Sequence, residues 1–147
     1  MIPTDIARDP TEWILLYDSD CGFCRWSLGW VLRADHRGVV RPLQLGTPSA
    51  DELLSDLTPE QRLSSWHLVA PDGTRQSAGA AAPPLLRQLP GGRLPAHLLA
   101  AAPELTERTY QWVVKHRSKF GKLIPDASKR RADELISSRA LPPAAAR

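Results

Sequence analysis

The sequence predicts one α/β domain, a mixed central sheet of about four strands flanked by helices and extended by a C-terminal helical segment. Three observations carry that prediction. The run Trp-Ile-Leu-Leu-Tyr at 13–17 is short, apolar and rich in strand formers, as a strand buried on both faces should be. A helix-period segment and a second strand-forming run come after it with a short return, the pattern of a right-handed β–α–β crossover with parallel strands. Further on, two strand-like runs flank the turn Pro71-Asp72-Gly73, which reads as a hairpin. At 147 residues, 42% of them hydrophobic, the chain has material for one core.

Taken in order, the first strand stops at Asp18-Ser19-Asp20, three good helix-capping residues, and a helix over about 21–34 begins there. At a 3.6-residue period Cys24, Leu28, Val31 and Leu32 share one side of it and Phe23, Trp26 and Trp30 a neighbouring one, so the helix must be largely covered. Residues 39–43 form the second strand, with Pro42 at its end or on an edge. Thr47-Pro48-Ser49 and Thr58-Pro59-Glu60 mark two helix starts. The hairpin occupies 65–70 and 74–77. Residues 79–89 are helical, with Pro83 and Pro84 confining the regular part to the residues after them. Another helix spans 95–102 and the longest about 104–119, where Leu105, Thr109, Trp112, Val113, His116 and Phe120 form the apolar stripe. Beyond Pro125 only a helical turn or two is expected near 129–136. The expected organisation is an N-terminal segment (1–12), the domain (13–124), and a basic, flexible tail (125–147) whose removal should cost little stability.

Charge is unevenly spread. Residues 1–73 hold 6 Lys/Arg against 11 Asp/Glu, and residues 74–147 hold 13 against 5. The basic stretch from 115 to 131 carries seven Lys/Arg and one acid, Asp126. Without aromatic interleaving or a nucleic-acid motif it reads as a solvated helix face, and nucleic acid is not an expected partner. No segment approaches the ~18 uninterrupted apolar residues of a membrane span, and residues 1–12 do not form a secretory leader. A cytoplasmic location is expected. In that reducing compartment the two cysteines point to redox or metal chemistry, not to a structural bridge.

Those cysteines form Cys21-Gly22-Phe23-Cys24. Three positions apart on a first helical turn, their sulfurs share one face and can close a disulfide with little movement. Cys21 sits where unpaired backbone N–H groups and the helix dipole favour a thiolate, the attacking species in disulfide exchange, and Cys24, one turn deeper, would resolve the mixed disulfide. Asp18 and Asp20 are the residues expected to tune the pair. Gly22, Phe23, Ser65 and Trp66 are the candidates for substrate contact. Zinc competes for a CxxC pair, but His36, His67, His97 and His116 are dispersed without a metal-binding spacing, so no metal and no cofactor is expected.

The segment Tyr17-Asp18-Ser19-Asp20-Cys21-Gly22-Phe23-Cys24 resembles the DCC family of thiol-disulfide oxidoreductases, named for Asp-x-x-Cys-x-x-Cys, with Asp18, Cys21 and Cys24 at the three motif positions. The resemblance runs over about 13–124, through the segment 66–73, Ser77-Ala78-Gly79 and the late helix at 110–117. It implies a thioredoxin-like fold and an oxidoreductase role, with thiols or disulfide-bearing molecules, proteins foremost, as partners. One departure from thioredoxin stands out: Ser64 and Ser65 precede the third strand where thioredoxins carry a cis-proline. A redox-inert, partner-binding domain of the same fold is the rival reading.

Overall fold

The computed structural model describes residues 9–140, so expectations for residues 1–8 and 141–147 lie outside it. Along the chain come β1 (Trp13–Tyr17), α1 (Gly22–Ala34), β2 (Val40–Gln44), α2 (Pro48–Leu53), α3 (Pro59–Ser64), β3 (His67–Val69) and β4 (Arg75–Ser77). A 3-10 turn (Ala78–Ala81) then leads into α4 (Ala82–Gln88), α5 (Arg93–Ala101), α6 (Pro103–Leu123) and α7 (Asp126–Arg139). The strands form one mixed sheet in the order β2-β1-β3-β4. β1 is parallel to β2, with Trp13 opposite Val40, and antiparallel to β3, which closes the predicted hairpin with β4. Pro42 lies on an edge strand, where its missing N–H breaks no ladder bond on the open side. This is the α/β, thioredoxin-like arrangement that the sequence predicts.

The pleat of β1 explains why its run is continuously apolar. Ile14 and Leu16 point to one face and pack with Leu45, Ala50, Leu54 and Val69. Leu15 points to the other, against Leu28, Leu32, Val40, Leu68, Leu85 and Ile136. Each such buried Leu or Ile contributes roughly 1.5–3 kcal/mol, so covering both faces with helices is what the sequence demands.

Two expectations are corrected. The stretch 126–139, expected as part of a flexible tail, is a 14-residue helix that packs along α1. Its Ala132 and Ile136 are buried, Leu135 packs against the core, and a Cβ added at Gly29 would stand 2.6 Å from that of Ala132. Small residues on both helices thus allow a backbone approach that a count of large apolar side chains does not reveal. The apolar stripe of α6 is also rotated from the expected one: Leu105 and Trp112 are exposed, and the inward face is Thr106, Tyr110, Val113, Val114 and Arg117. Thr106 is tolerated there because its hydroxyl donates to the Leu99 carbonyl at 2.9 Å.

Candidate active site

β1 delivers the chain to the site. After Tyr17, Asp18 organises a tight turn: its Oδ1 accepts from the Asp20 N–H at 3.0 Å, and its carbonyl from the Cys21 N–H at 3.4 Å. The cap of α1 is then Cys21 itself, one residue later than the Asp18-Ser19-Asp20 cap expected from sequence. Its backbone is extended (φ −96°, ψ 106°) and its Sγ accepts from the Cys24 N–H at 3.2 Å. Once the disulfide is reduced, a thiolate at this position would accept that N–H more strongly than a thiol. Cys21 and Cys24 are joined as a disulfide, with Cα atoms 5.2 Å apart.

The two sulfurs border different surroundings. On the Cys24 side lies a cavity of about 250 Å³ walled mainly by Leu15, Phe23, Leu28, Trp66, Tyr110 and Val113. On the Cys21 side an open cleft is lined by Asp18, Asp20, Gly22, Arg25, Lys122 and Lys129. The expected contact candidates are therefore divided: Phe23, Ser65 and Trp66 border the cavity and Gly22 the cleft. Trp66 is held from two sides, its N–H donating to Tyr110 Oη at 3.1 Å and its indole N–H to the Ala78 carbonyl at 2.8 Å. Burial pushes both Tyr17 and Tyr110 above the usual phenol value, so both are neutral at physiological pH.

A residue not singled out from sequence stands between the cavity and the cleft. Arg117 on α6 borders both; one guanidinium nitrogen lies 4.0 Å from Cys24 Sγ and the other 3.9 Å from Asp18 Oδ2. In the sequence it is one cation within a basic stretch, 93 positions from Cys24. Lys129 of α7 lies across the start of α1, its side chain 3.4 Å from where a Gly22 Cβ would be, and it pairs with Asp126 at 3.6 Å. Arg25 pairs with Asp133 at 3.2 Å. Of the histidines, His67 of β3 is buried, bonded to Ser77 Oγ at 2.6 Å and the Arg62 carbonyl at 3.0 Å. Among the described residues no three His, Cys, Asp or Glu side chains are grouped as a metal site requires, and no helix is long and apolar enough to cross a membrane.

Comparison with known proteins agrees with the geometry. No curated protein and no solved structure matches the chain. The family model described as DCC1-like thiol-disulfide oxidoreductase matches residues 15–123, which takes in the dithiol, both hairpin strands and α6 as far as Leu123, and leaves α7 outside. With well over half of its length matched and a CxxC pair joined as a disulfide at a helix start, the chain belongs to the DCC1-like thiol-disulfide oxidoreductase family.

Proposed function

We propose that this chain is an enzyme of reversible dithiol–disulfide exchange, with Cys21 as nucleophile and Cys24 as resolving thiol. The observation that carries the proposal is the position of Cys21 at the N-cap of α1, where its sulfur already receives the Cys24 N–H. In the reduced protein the Cys21 thiolate attacks a substrate disulfide. A mixed disulfide forms, and the first substrate thiolate leaves and takes a proton from water. The Cys24 thiolate then attacks Cys21 Sγ, closes the Cys21–Cys24 bond and expels the second thiolate, so two electrons pass to the substrate. Oxidation of a substrate dithiol runs the same steps backwards.

The reading extends to the surroundings. Asp18 and Asp20 tune the pair, and Gly22, Phe23, Ser65 and Trp66 meet the substrate, a thiol or a disulfide-bearing molecule, protein foremost. No cofactor is invoked, because the two sulfurs themselves carry the electrons. A cytoplasmic location accords with two cysteines spaced as a redox pair and no disulfide framework beyond it. The test is equilibration in graded glutathione buffers with thiol quantitation. Wild type should show one two-electron transition. Cys21→Ser should abolish exchange, and Cys24→Ser should accumulate mixed disulfides. A pair that stays in one state across the physiological range would favour the rival, a redox-inert partner-binding domain.

A further inference from the structure

We infer that Arg117 is the positioning residue that sets the resolving thiolate, and that Asp18 competes with Cys24 for its charge. The inference rests on the dithiol reading above. Its ground is a geometry in which one guanidinium spans two acceptors, Cys24 Sγ at 4.0 Å and Asp18 Oδ2 at 3.9 Å, neither at close contact. A guanidinium stays charged at every physiological pH. In the disulfide form Cys24 offers it no negative charge, and Asp18 is its anionic partner. Once the disulfide opens and Cys24 ionises, two anions share one cation. The thiolate of Cys24, at the third position of α1, then has the Arg117 guanidinium beside it as a cationic partner.

The other charged groups around the pair do not replace Arg117. On α1, Arg25 is turned to Asp133. From the loop, Asp20 lines the Cys21 cleft, as do Lys122 of α6 and Lys129 of α7, the latter paired with Asp126. Tyr17 of β1 and Tyr110 of α6 border the Cys24 cavity, and burial keeps both neutral. Ser65 and Trp66, beside β3, bring no charge.

The chemical consequence falls on the second step of exchange. The mixed disulfide joins Cys21 Sγ to the substrate sulfur. Cys24 must ionise to attack Cys21 Sγ, form the intramolecular bond and release the substrate thiolate, and Arg117 raises the fraction of Cys24 ready to do so at neutral pH. Asp18, by drawing the guanidinium toward itself, restrains that fraction and limits premature release of substrate.

The experiment uses the full chain carrying Cys21→Ser, in which serine keeps a capping oxygen and Cys24 is the single thiol. Thiolate absorbance near 240 nm is followed against pH. Arg117→Met, which keeps the stem and removes the charge, should raise the Cys24 pKa by about 1 unit. Arg117→Lys should restore most of that shift. Asp18→Asn, whose side-chain oxygen can still accept from the Asp20 N–H, should move the pKa the other way. In the two-cysteine protein, Arg117→Met should slow resolution of a preformed mixed disulfide at pH 7 by up to about tenfold, the factor one pKa unit allows. An unchanged Cys24 pKa in Arg117→Met, or shifts of the same sign for Asp18→Asn and Arg117→Met, would overturn the inference, since a merely structural role produces no opposed shifts. The single-thiol measurement does not depend on turnover: failure of the glutathione titration removes the exchange reading, whereas failure of this titration removes only the role of Arg117.

Discussion

The contact that fastens α7 to the domain is open to a quantitative test through Arg139→Met. Asp35, at the C-cap of α1, is fully buried. Its Oδ2 accepts from the Val40 N–H at 2.8 Å and from Arg139 Nη1 at 3.1 Å, and its carbonyl accepts from Arg139 Nη2 at 3.3 Å. The end of α1, the start of β2 and the end of α7 therefore meet at one carboxylate. Removing one partner of a buried pair strands the other charge, at about 3–5 kcal/mol. The Arg139 side chain is 25% exposed, so water meets part of the loss and about 2–3 kcal/mol is expected. For a domain of this size that corresponds to a fall in Tm of roughly 5–10 °C. Deleting residues 126–147 adds the loss of Ile136 from the core, about 2 kcal/mol more by area, and uncovers the α1 face that Ala132 closes. The combined loss is a large share of the roughly 5–15 kcal/mol that holds an ordinary domain folded. Circular dichroism melts of wild type, Arg139→Met, Asp35→Asn/Arg139→Met and the truncated chain measure these effects. The double variant should recover part of the loss, since no charge is left stranded. A change below about 2 °C in Arg139→Met, or a truncated chain melting within a few degrees of wild type, would refute the reasoning and return 126–139 to the status of a dispensable tail.

Two further outcomes concern groups near the sheet and Cys21. Asp20 is exposed beside Cys21; Asp20→Asn should lower the Cys21 thiolate pKa in a Cys24→Ser background and raise the reduction potential of the intact pair, with an effect that shrinks in high salt. An unchanged or higher pKa would mean that Asp20 acts through the local turn and not through its charge. Burial holds the His67 pKa below the ordinary imidazole value of 6.5, so the neutral ring is favoured in the folded protein. The unfolded chain then binds the extra proton as pH falls, and stability should drop below about pH 6.5, by at most ~1.4 kcal/mol per pH unit, until the folded pKa is reached. Asp56, held at about 2 by the Arg75 guanidinium, loses its contribution only below its usual 3.8, a separate window. Urea midpoints at pH 7.5 and 5.5 test this: equal midpoints in wild type, or an unchanged pH dependence in His67→Gln, would count against it.

The parts of the fold legible in the sequence are those where one residue type has one physical use. The apolar run 13–17 must be buried on both faces. Pro48 and Pro59 fit the first turn of a helix, where a missing N–H breaks no bond, and Pro42 fits an edge strand. The rotation of α6 was not legible because apolar periodicity registers transfer from water and not partnership. Leu105 and Trp112 score as core residues and are exposed, whereas Thr106 and Tyr110 score as surface residues and turn inward because the Leu99 carbonyl and the Trp66 N–H complete their hydrogen bonds. The length and docking of α7 were hidden for a related reason. Its closest approach is Ala132 against Gly29 of α1, a contact made by closeness and not by bulk, with Leu135 and Ile136 the two large residues that reach the core beyond it.

The dithiol was legible and its charge environment was not, and the difference is one of sequence distance. Cys21, Cys24, Asp18 and Asp20 lie within seven positions, so a strand stop and an immediate helix start are enough to bring them together. Arg117 comes from α6 and Lys129 from α7, and their approach to the start of α1 depends on how those two helices are docked. α1 is consequently gripped at both ends: Asp18, Arg117 and Lys129 surround its first turn, and the Asp35–Arg139 pair its last. Between those ends the helix packs closely on α7, where Gly29 meets Ala132. The helix outside the family match thus reaches the chemistry inside it directly, through Lys129 in the cleft beside Cys21, and it packs on α1 at Gly29.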